Sequence, residues 1–150
     1  MLEFIRKEFM LLLMSFMPII ELRGAIPYGI ALGFNPIHVY ITCLIGSILP
    51  SPIIILTFRH ILKWVKSNKY LYKIGHYIDI KINRKGKNVK KYKMIGLMLF
   101  VALPIPSTGV WSGSMIASIL KFRIKDALIS ITIGNIIAGL IVLALSYHLI

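Results

Sequence analysis

The stretch Pro18-Ile19-Ile20-Glu21-Leu22-Arg23-Gly24-Ala25-Ile26-Pro27 places an acid, a base, a glycine and two prolines inside an apolar sequence. Between Phe9 and Phe58, Glu21 and Arg23 are the only formally charged side chains. A charge at the centre of a bilayer costs about 3 kcal/mol or more, so it usually has a partner, a cavity or a function. Because proline and glycine also interrupt regular helices, the stretch predicts a helix that enters a membrane, breaks at depth and resumes with Pro27 in its first turn.

The composition indicates an integral membrane protein of one domain. Of its 150 residues 57% are hydrophobic, and the mean hydropathy is +0.81. The net charge is +13, but twelve of the eighteen Lys and Arg residues lie within 59–93 and three more within 121–125. Such clustering is typical of cytoplasmic loops, and no nucleic-acid-binding pattern accompanies it. With one cysteine, Cys43, and no shared ligand spacing among the histidines, no metal site and no cofactor are expected.

Apolar segments of half and full membrane length alternate along the chain. The full-length segments are 37–58, which Pro50-Ser51-Pro52 is expected to kink, and 127–149. The half-length segments are 9–20, 27–33, 94–103 and 110–120, with 104–109 as a second break rich in proline, serine, threonine and glycine. A turn is expected at Gly33-Phe34-Asn35-Pro36.

The two halves of the chain follow one plan, in which a broken segment is followed by a turn and a crossing segment. A shift of 88 residues aligns Pro18 with Pro106 and Phe34 with Phe122, which makes an internal duplication plausible. We expect a single membrane domain over residues 1–150, with repeat 1 at about 1–58, a basic linker at 59–93 and repeat 2 at about 94–150.

The basic stretches distinguish two topologies. If both broken segments cross the membrane completely, 59–93 and 121–125 lie on opposite faces, and one of them violates the positive-inside rule. If each broken segment is a re-entrant hairpin, both stretches share the cytoplasmic face and the N-terminus lies outside. We therefore predict an all-α integral membrane fold of two inverted repeats, each a re-entrant helical hairpin plus a transmembrane helix.

In that fold the two breaks meet near the membrane midplane and form a candidate site. The helix N-terminus near Val110, which Ser107 or Thr108 is expected to cap, favours an anion, and Arg23 offers a fork for a carboxylate or phosphate. Glu21 is the candidate for carrying a proton. The alternative is a structural Glu21–Arg23 ion pair that holds the loop in place. The candidate substrate contacts are Arg23, Gly24, Ser107, Thr108, Gly109, Trp111 and Asn135.

Two of these candidates have a plain structural interpretation. Trp111 either seals the site or simply packs. Asn135 follows the small-residue positions Ser130 and Gly134, so packing between helices competes with ligand contact there.

At these two motifs the sequence resembles the small multidrug export family of bacterial and archaeal membrane proteins. Residues 21–27, Glu-Leu-Arg-Gly-Ala-Ile-Pro, match its first motif. Residues 104–113, Pro-Ile-Pro-Ser-Thr-Gly-Val-Trp-Ser-Gly, look like its Pro-x-Pro-Gly-Thr-Gly-x-Trp-x-Gly motif, with Ser107 where a glycine is usual. The resemblance implies an export protein of a prokaryotic cell membrane. The arrangement is also similar to DedA-type membrane proteins, which have been linked to recycling of polyprenyl-phosphate lipid carriers.

The leading hypothesis is a small multi-pass transporter in the plasma membrane, with the 59–93 segment cytoplasmic. Its substrate would be amphipathic and anionic, either a drug-like compound or a lipid phosphate, and Glu21 would couple it to protons. The alternative is a membrane lipid-binding or scaffolding subunit that does not transport. An enzyme is not expected, because no catalytic triad, metal set or paired carboxylates are visible. The expected partners are membrane lipids, the substrate and a second copy in a homodimer, but no nucleic acid.

Overall fold

A computed structural model of the chain describes residues 1–70, 72–73, 76–77, 90–106 and 108–149. The fold is 82% helix, and no strand occurs in these ranges, which confirms the predicted all-α class. In chain order the helices are α1 (Leu2–Phe16), α2 (Glu21–Ala31), α3 (Pro36–Ile48), α4 (Pro50–Ser67), α5 (Lys90–Ala102), α6 (Val110–Ile119) and α7 (Ile124–Leu149).

Two helical stretches are long and apolar enough to cross a bilayer. Pro36–Ser67 has 32 residues and Ile124–His148 has 25, with hydropathies of 2.1 and 2.5. At 1.5 Å per residue they measure about 48 and 38 Å, which exceeds the ~30 Å of a hydrocarbon core. In the first stretch α3 and α4 join through Leu49, whose backbone is itself helical. Pro50 lies in the first turn of α4, where its missing amide is tolerated, so the prolines mark a junction between helices.

The other helices are too short to cross alone. α1, α2, α5 and α6 have 15, 11, 13 and 10 residues, or roughly 15–22 Å each. Both α1 and α5 begin earlier than the apolar segments suggest, because their first turns carry charged residues. The expected break near 104–109 lies between α5 and α6.

The first break lies before the charged pair, so the prediction that Pro27 opens the second helix is wrong. Proline disfavours helical backbone in the residue before it, and Met17 is extended at φ −70° and ψ 140°. The chain turns through Pro18–Ile20, and α2 begins at Glu21. Pro27 lies inside α2, whose packing against α1, α3 and α7 keeps it helical despite a local cost of about 3 kcal/mol.

In the first half, α1, α2 and α3 pack on one another, and α1 runs beside α3 in the same direction. The Phe4 and Phe34 rings lie 5.4 Å apart, and eleven residues further along α1 the Ser15 hydroxyl packs against Gly46. The start of α1 and the α2–α3 turn therefore lie at the same end of the bundle.

In the second half, α5, α6 and α7 also pack on one another, with the largest contact between α5 and α7. Gly113 of α6 packs against Val101 of α5 and Ile131 of α7. Gly134 of α7 lies against the backbone of α5, where an added Cβ would be 2.5 Å from the Met98 carbonyl oxygen. Glycine is thus the residue that lets α5 and α7 approach so closely.

The α2–α3 and α6–α7 turns have the same hydrogen bonds at positions 88 residues apart. Gly33 and Lys121 both have left-handed backbones, with φ of 81° and 55°. The amides of the next residues, Phe34 and Phe122, donate to carbonyls five residues earlier, at 3.3 and 3.0 Å. This is the Schellman type of helix end. The predicted turn at 33–36 is confirmed, and the Asn35 side chain caps α3 at 3.0 Å.

The two long helical stretches run in opposite directions. Tyr40 lies against Gly139, whereas further along α3 the Ser47 hydroxyl accepts a bond from the Asn135 amide at 2.7 Å, nearer the start of α7. Ser47 and Asn135 are themselves 88 residues apart.

The two basic stretches meet at one end of the bundle. The Arg59 guanidinium in α4 donates to the Phe122 carbonyl in the α6–α7 turn, between Lys121 and Arg123. Residues 78–89, in the middle of the predicted basic linker, lie outside the described residues, while its two ends belong to α4 and α5. At the opposite end Glu8 pairs with His38 at 2.6 Å.

We expect Gly134→Ala to destabilise the protein, because the added methyl group meets a backbone carbonyl that has no rotamer to change. Overpacking of this kind costs about 1–3 kcal/mol. Gly96 in α5 is the matched control, since nothing lies within 4 Å of a Cβ added there. Apparent melting temperatures in detergent should fall for Gly134→Ala and stay level or rise for Gly96→Ala. Equal melting temperatures would contradict the close packing of α5 and α7.

Candidate functional site

The two chain breaks meet around the carboxylate of Glu21. Its Oε1 accepts the Val110 amide at 2.6 Å and the Trp111 amide at 3.3 Å, so Glu21 caps the N-terminus of α6 from the other half of the chain. Glu21 is only 5% exposed. A helix N-terminus favours a negative charge, and the carboxylate occupies the place of a bound anion. Gly109 allows this approach, because any Cβ there would overlap the carboxylate.

Arg23 extends the contact to the end of α5. Its Nη1 donates to Glu21 Oε2 at 2.6 Å. Its Nη2 donates to three carbonyl oxygens, those of Val101 at 2.9 Å, Leu103 at 2.8 Å and Thr108 at 3.1 Å. A cation satisfies the free carbonyls at a helix C-terminus. The guanidinium therefore caps the C-terminus of α5, as the Glu21 carboxylate caps the N-terminus of α6.

The backbone of Glu21 explains how residues two apart form an ion pair. On a regular helix such residues do not face each other. Glu21 has a left-handed backbone, with φ of 51°, at the first position of α2. This conformation costs a non-glycine residue roughly 1–2 kcal/mol, and the contacts of its carboxylate offset the cost.

Thr108 does not cap α6, which corrects the sequence-based expectation. Its hydroxyl donates back to the Leu103 and Ile105 carbonyls at 2.9 Å each, and so closes the turn after α5. Gly109 occupies the N-cap position without a side-chain bond, since Glu21 supplies the oxygen instead. Ser107 lies outside the described residues.

Trp111 and Gly24 lie at the meeting point. The Trp111 indole Nε1 donates to the Phe16 carbonyl at 3.1 Å, so it joins α6 to the end of α1. A Cβ added at Gly24 would approach Ile20 Cγ2 to 2.7 Å, which explains a small residue in this first turn.

Asn135 belongs to a different polar pair, between α3 and α7. It is 1% exposed and bonds Ser47, while its Oδ1 has no hydrogen-bond partner among the described residues. The structure therefore places Glu21, Arg23, Thr108, Gly109 and Trp111 together, and it gives Asn135 a helix-packing contact.

A buried serine seam, not anticipated from the sequence, leads away from Glu21 along α6. Ser114 bonds the Val110 carbonyl at 2.6 Å and pairs with Ser51 of α4 at 2.9 Å. One turn on, Ser118 donates to the Ile55 carbonyl at 3.1 Å. The available signal was the spacing of four residues between Ser114 and Ser118, which places both hydroxyl groups on one face of α6.

We expect Glu21→Ala to be far more destabilising than loss of a partly exposed acid. It removes the acceptor of Arg23 Nη1 and of the Val110 and Trp111 amides, and breaking a buried pair costs about 3–5 kcal/mol. The control is Glu8→Ala, because the Glu8–His38 pair is 32% and 47% exposed at its side chains. Exposed pairs are worth about 1 kcal/mol or less. Melting temperatures in detergent compare the two variants.

Glu21→Gln tests which part of the carboxylate matters. The amide side chain keeps an oxygen acceptor for α6 but loses the charge that Arg23 pairs with, so it should melt between wild type and Glu21→Ala. If Glu21→Ala and Glu8→Ala melted together, Glu21 would not join the two halves.

One comparison with known proteins identifies a family. The model of the family described as "Putative small multi-drug export protein" matches residues 21–141. The match begins at Glu21, directly after the first break, and includes the second break, the whole Pro36–Ser67 stretch and the second long stretch as far as Ile141. No curated protein and no solved structure matches the chain. The family and the two apolar stretches identify a membrane protein, and the family is named for export and not for a chemical reaction. The chain belongs to the small multidrug export family.

Proposed function

We propose that this protein is a small transporter that moves amphipathic anions across the plasma membrane of a prokaryote. The observation that carries the proposal is the position of Glu21. Its carboxylate sits on the α6 amides beside Arg23, where two chain breaks meet between two membrane-crossing stretches. Membrane-embedded charges on interrupted helices are how many secondary transporters build a substrate site.

The proposed architecture is a pair of inverted repeats, each a re-entrant hairpin followed by a crossing helix. Three observations support it. The first hairpin begins and ends at one end of the bundle. The helix ends at Gly33 and Lys121 share their hydrogen bonds at an offset of 88 residues. The long stretches run in opposite directions, with the corresponding residues Ser47 and Asn135 in contact.

The proposed orientation follows from charge. The Arg59–Phe122 contact brings both basic stretches to one end of the bundle, and the positive-inside rule assigns that end to the cytoplasm. The opposite end carries Glu3 and Glu8 against Arg6 and Lys7, so it is nearly neutral and can face outward.

In the proposed mechanism Glu21 occupies the anion site when no substrate is bound. Protonation of Glu21 removes its charge, which weakens its bonds to Arg23 and to the α6 amides. A carboxylate or phosphate of the substrate then takes its place, bound by Arg23 and the Val110 and Trp111 amides. One proton binds the Glu21 carboxylate for each anionic charge of the substrate that takes its place. Gly24 and Gly109 leave room for the exchange, and Trp111 covers it.

The remaining predicted contacts are part of the proposal. Thr108 would present its carbonyl to Arg23 and so hold the guanidinium in place. Asn135, whose Oδ1 has no hydrogen-bond partner in the described part of the chain, would contact a substrate that reaches the α3–α7 interface. A drug-like anion and a lipid phosphate share the head-group chemistry, and the transport assay below separates them.

Single cysteines test the topology on a Cys43→Ala background, with an impermeant thiol reagent added to intact cells. The exposed reporters are at Leu2 and Ile37 for the outer end, and at Ser67 and Arg123 for the basic end. We expect labelling at Leu2 and Ile37 and protection at the other two positions. Labelling at Arg123 with protection at Ser67 would mean that the second broken segment crosses completely, and the inverted repeats would be wrong.

Transport is tested in proteoliposomes with two probes, a fluorescent phosphatidic acid and the dye anilinonaphthalene sulfonate. Arg23→Ala should lower the rate of at least one probe by about 10- to 100-fold, which is the value of one charge-assisted hydrogen bond of roughly 1.5–3 kcal/mol. Glu21→Gln should abolish the response to a proton gradient. Arg59→Ala is the matched control, because it also removes a guanidinium bound to a carbonyl, but at the basic end.

If neither probe responds to Arg23→Ala, the site assignment is wrong. If Glu21→Gln is silent while neutralising basic residues such as Lys63 and Lys91 abolishes function, the protein is instead a lipid-binding or scaffolding subunit. The meeting of two basic stretches at one end is the observation that favours this second function.

A further inference from the structure

The tips of both hairpins form one exposed apolar surface beside Arg23. Its side chains are between 39% and 94% exposed: Phe16, Met17, Ile19, Leu103 and Ile105. Three exposed prolines lie among them: Pro18, Pro104 and Pro106. We call these eight residues the tip surface. The Trp111–Phe16 and Arg23–Leu103 hydrogen bonds join its two parts.

The tip surface lies midway between the ends of the bundle. Ser15, at the end of α1, packs against Gly46, and the neighbouring Ser47 bonds Asn135 near the middle of α7. In the re-entrant architecture proposed above, on which this step rests, the tips are therefore at the depth of the hydrocarbon.

Lipid is a poor cover for this surface. Backbone outside regular helices does not face hydrocarbon, because its polar groups have no partner there. Leu103 is half exposed and the Arg23 side chain bound to it is 13% exposed, so lipid here would also reach part of a guanidinium. Water is a poor cover too, since the tip surface carries no ionisable side chain and its apolar groups would cost about 25 cal/mol per Å² to keep wet.

We propose that a second copy of this chain covers the tip surface, in a two-fold symmetric dimer that closes both Arg23 sites. Such an interface joins the same patch on both copies, so it requires a patch that lies at the same depth in each and carries no like charges to repel. The tip surface meets both conditions. The partner's apolar side chains fill the space beside Leu103, so each site is complete only in the dimer.

Other exposed apolar residues do not need such a partner. Ile45 and Leu140 are 54% and 51% exposed, similar to Ile105, but they lie inside regular helices whose backbone groups are already bonded. Lipid can cover them. This difference between equally exposed residues provides the matched controls.

The experiment uses single cysteines at Ile19 and Ile105, with Ile45 and Leu140 as controls, all in the full chain with Cys43→Ala. Native membranes are treated with a short bifunctional thiol reagent, and the covalent dimer is measured on a gel. We expect several-fold more dimer at Ile19 and Ile105 than at either control. Light scattering in mild detergent should give twice the 17.0 kDa of one chain.

Two results would overturn the dimer. One is crosslinking at the tips no higher than at the controls, together with the mass of a single chain. The other is reaction of the Ile19 cysteine with a water-soluble thiol reagent as fast as the exposed Ser67 cysteine, which would mean that the tips line a water-filled cavity. The labelling pattern of Leu2, Ile37 and Arg123 is independent of both, so loss of the dimer and loss of the re-entrant topology can be told apart.

Discussion

The buried ion pair of Glu21 and Arg23 is the interaction on which the arrangement of this protein depends. Both residues lie in the short helix α2, yet each caps one end of a helix in the other half of the chain. Glu21 supplies the negative charge at the start of α6, and Arg23 binds the last carbonyls of α5. If either break moved, Glu21 and Arg23 would lose these contacts and their charges would be left without partners.

Burying two charges is normally unfavourable, and a buried pair is weak evidence for stability in itself. Here the oppositely charged ends of two helix dipoles contribute as well, so the carboxylate and the guanidinium each have several partners. The pair therefore needs both breaks in the same place. This makes the irregular backbone at 17–20 and 103–109 a requirement of the site and not a defect of the helices.

Local chemistry made much of the fold predictable. Pro18 forces Met17 out of the helix, Asn35 caps α3, and two prolines end α5, and each of these effects acts over one or two residues. Local rules were wrong at Pro27, where packing against three helices outweighs the proline. Local rules also do not predict the cap of α6, because Glu21 lies 89 residues from Val110 and no sequence pattern indicates that the two are in contact.

The contact between Glu21 and Gly109 has a consequence for how the two halves can differ. These positions are 88 residues apart, the offset that relates Gly33 to Lys121 and Ser47 to Asn135, and they touch one another. Where corresponding positions meet, identical residues must tolerate their own copy. With glutamate at both 21 and 109, two carboxylates would lie against each other. The side chain at 109 would also occupy the space in which the Glu21 carboxylate caps α6. Glycine at 109 is therefore the residue that lets the Glu21 carboxylate occupy this place, and the two halves differ at these corresponding positions.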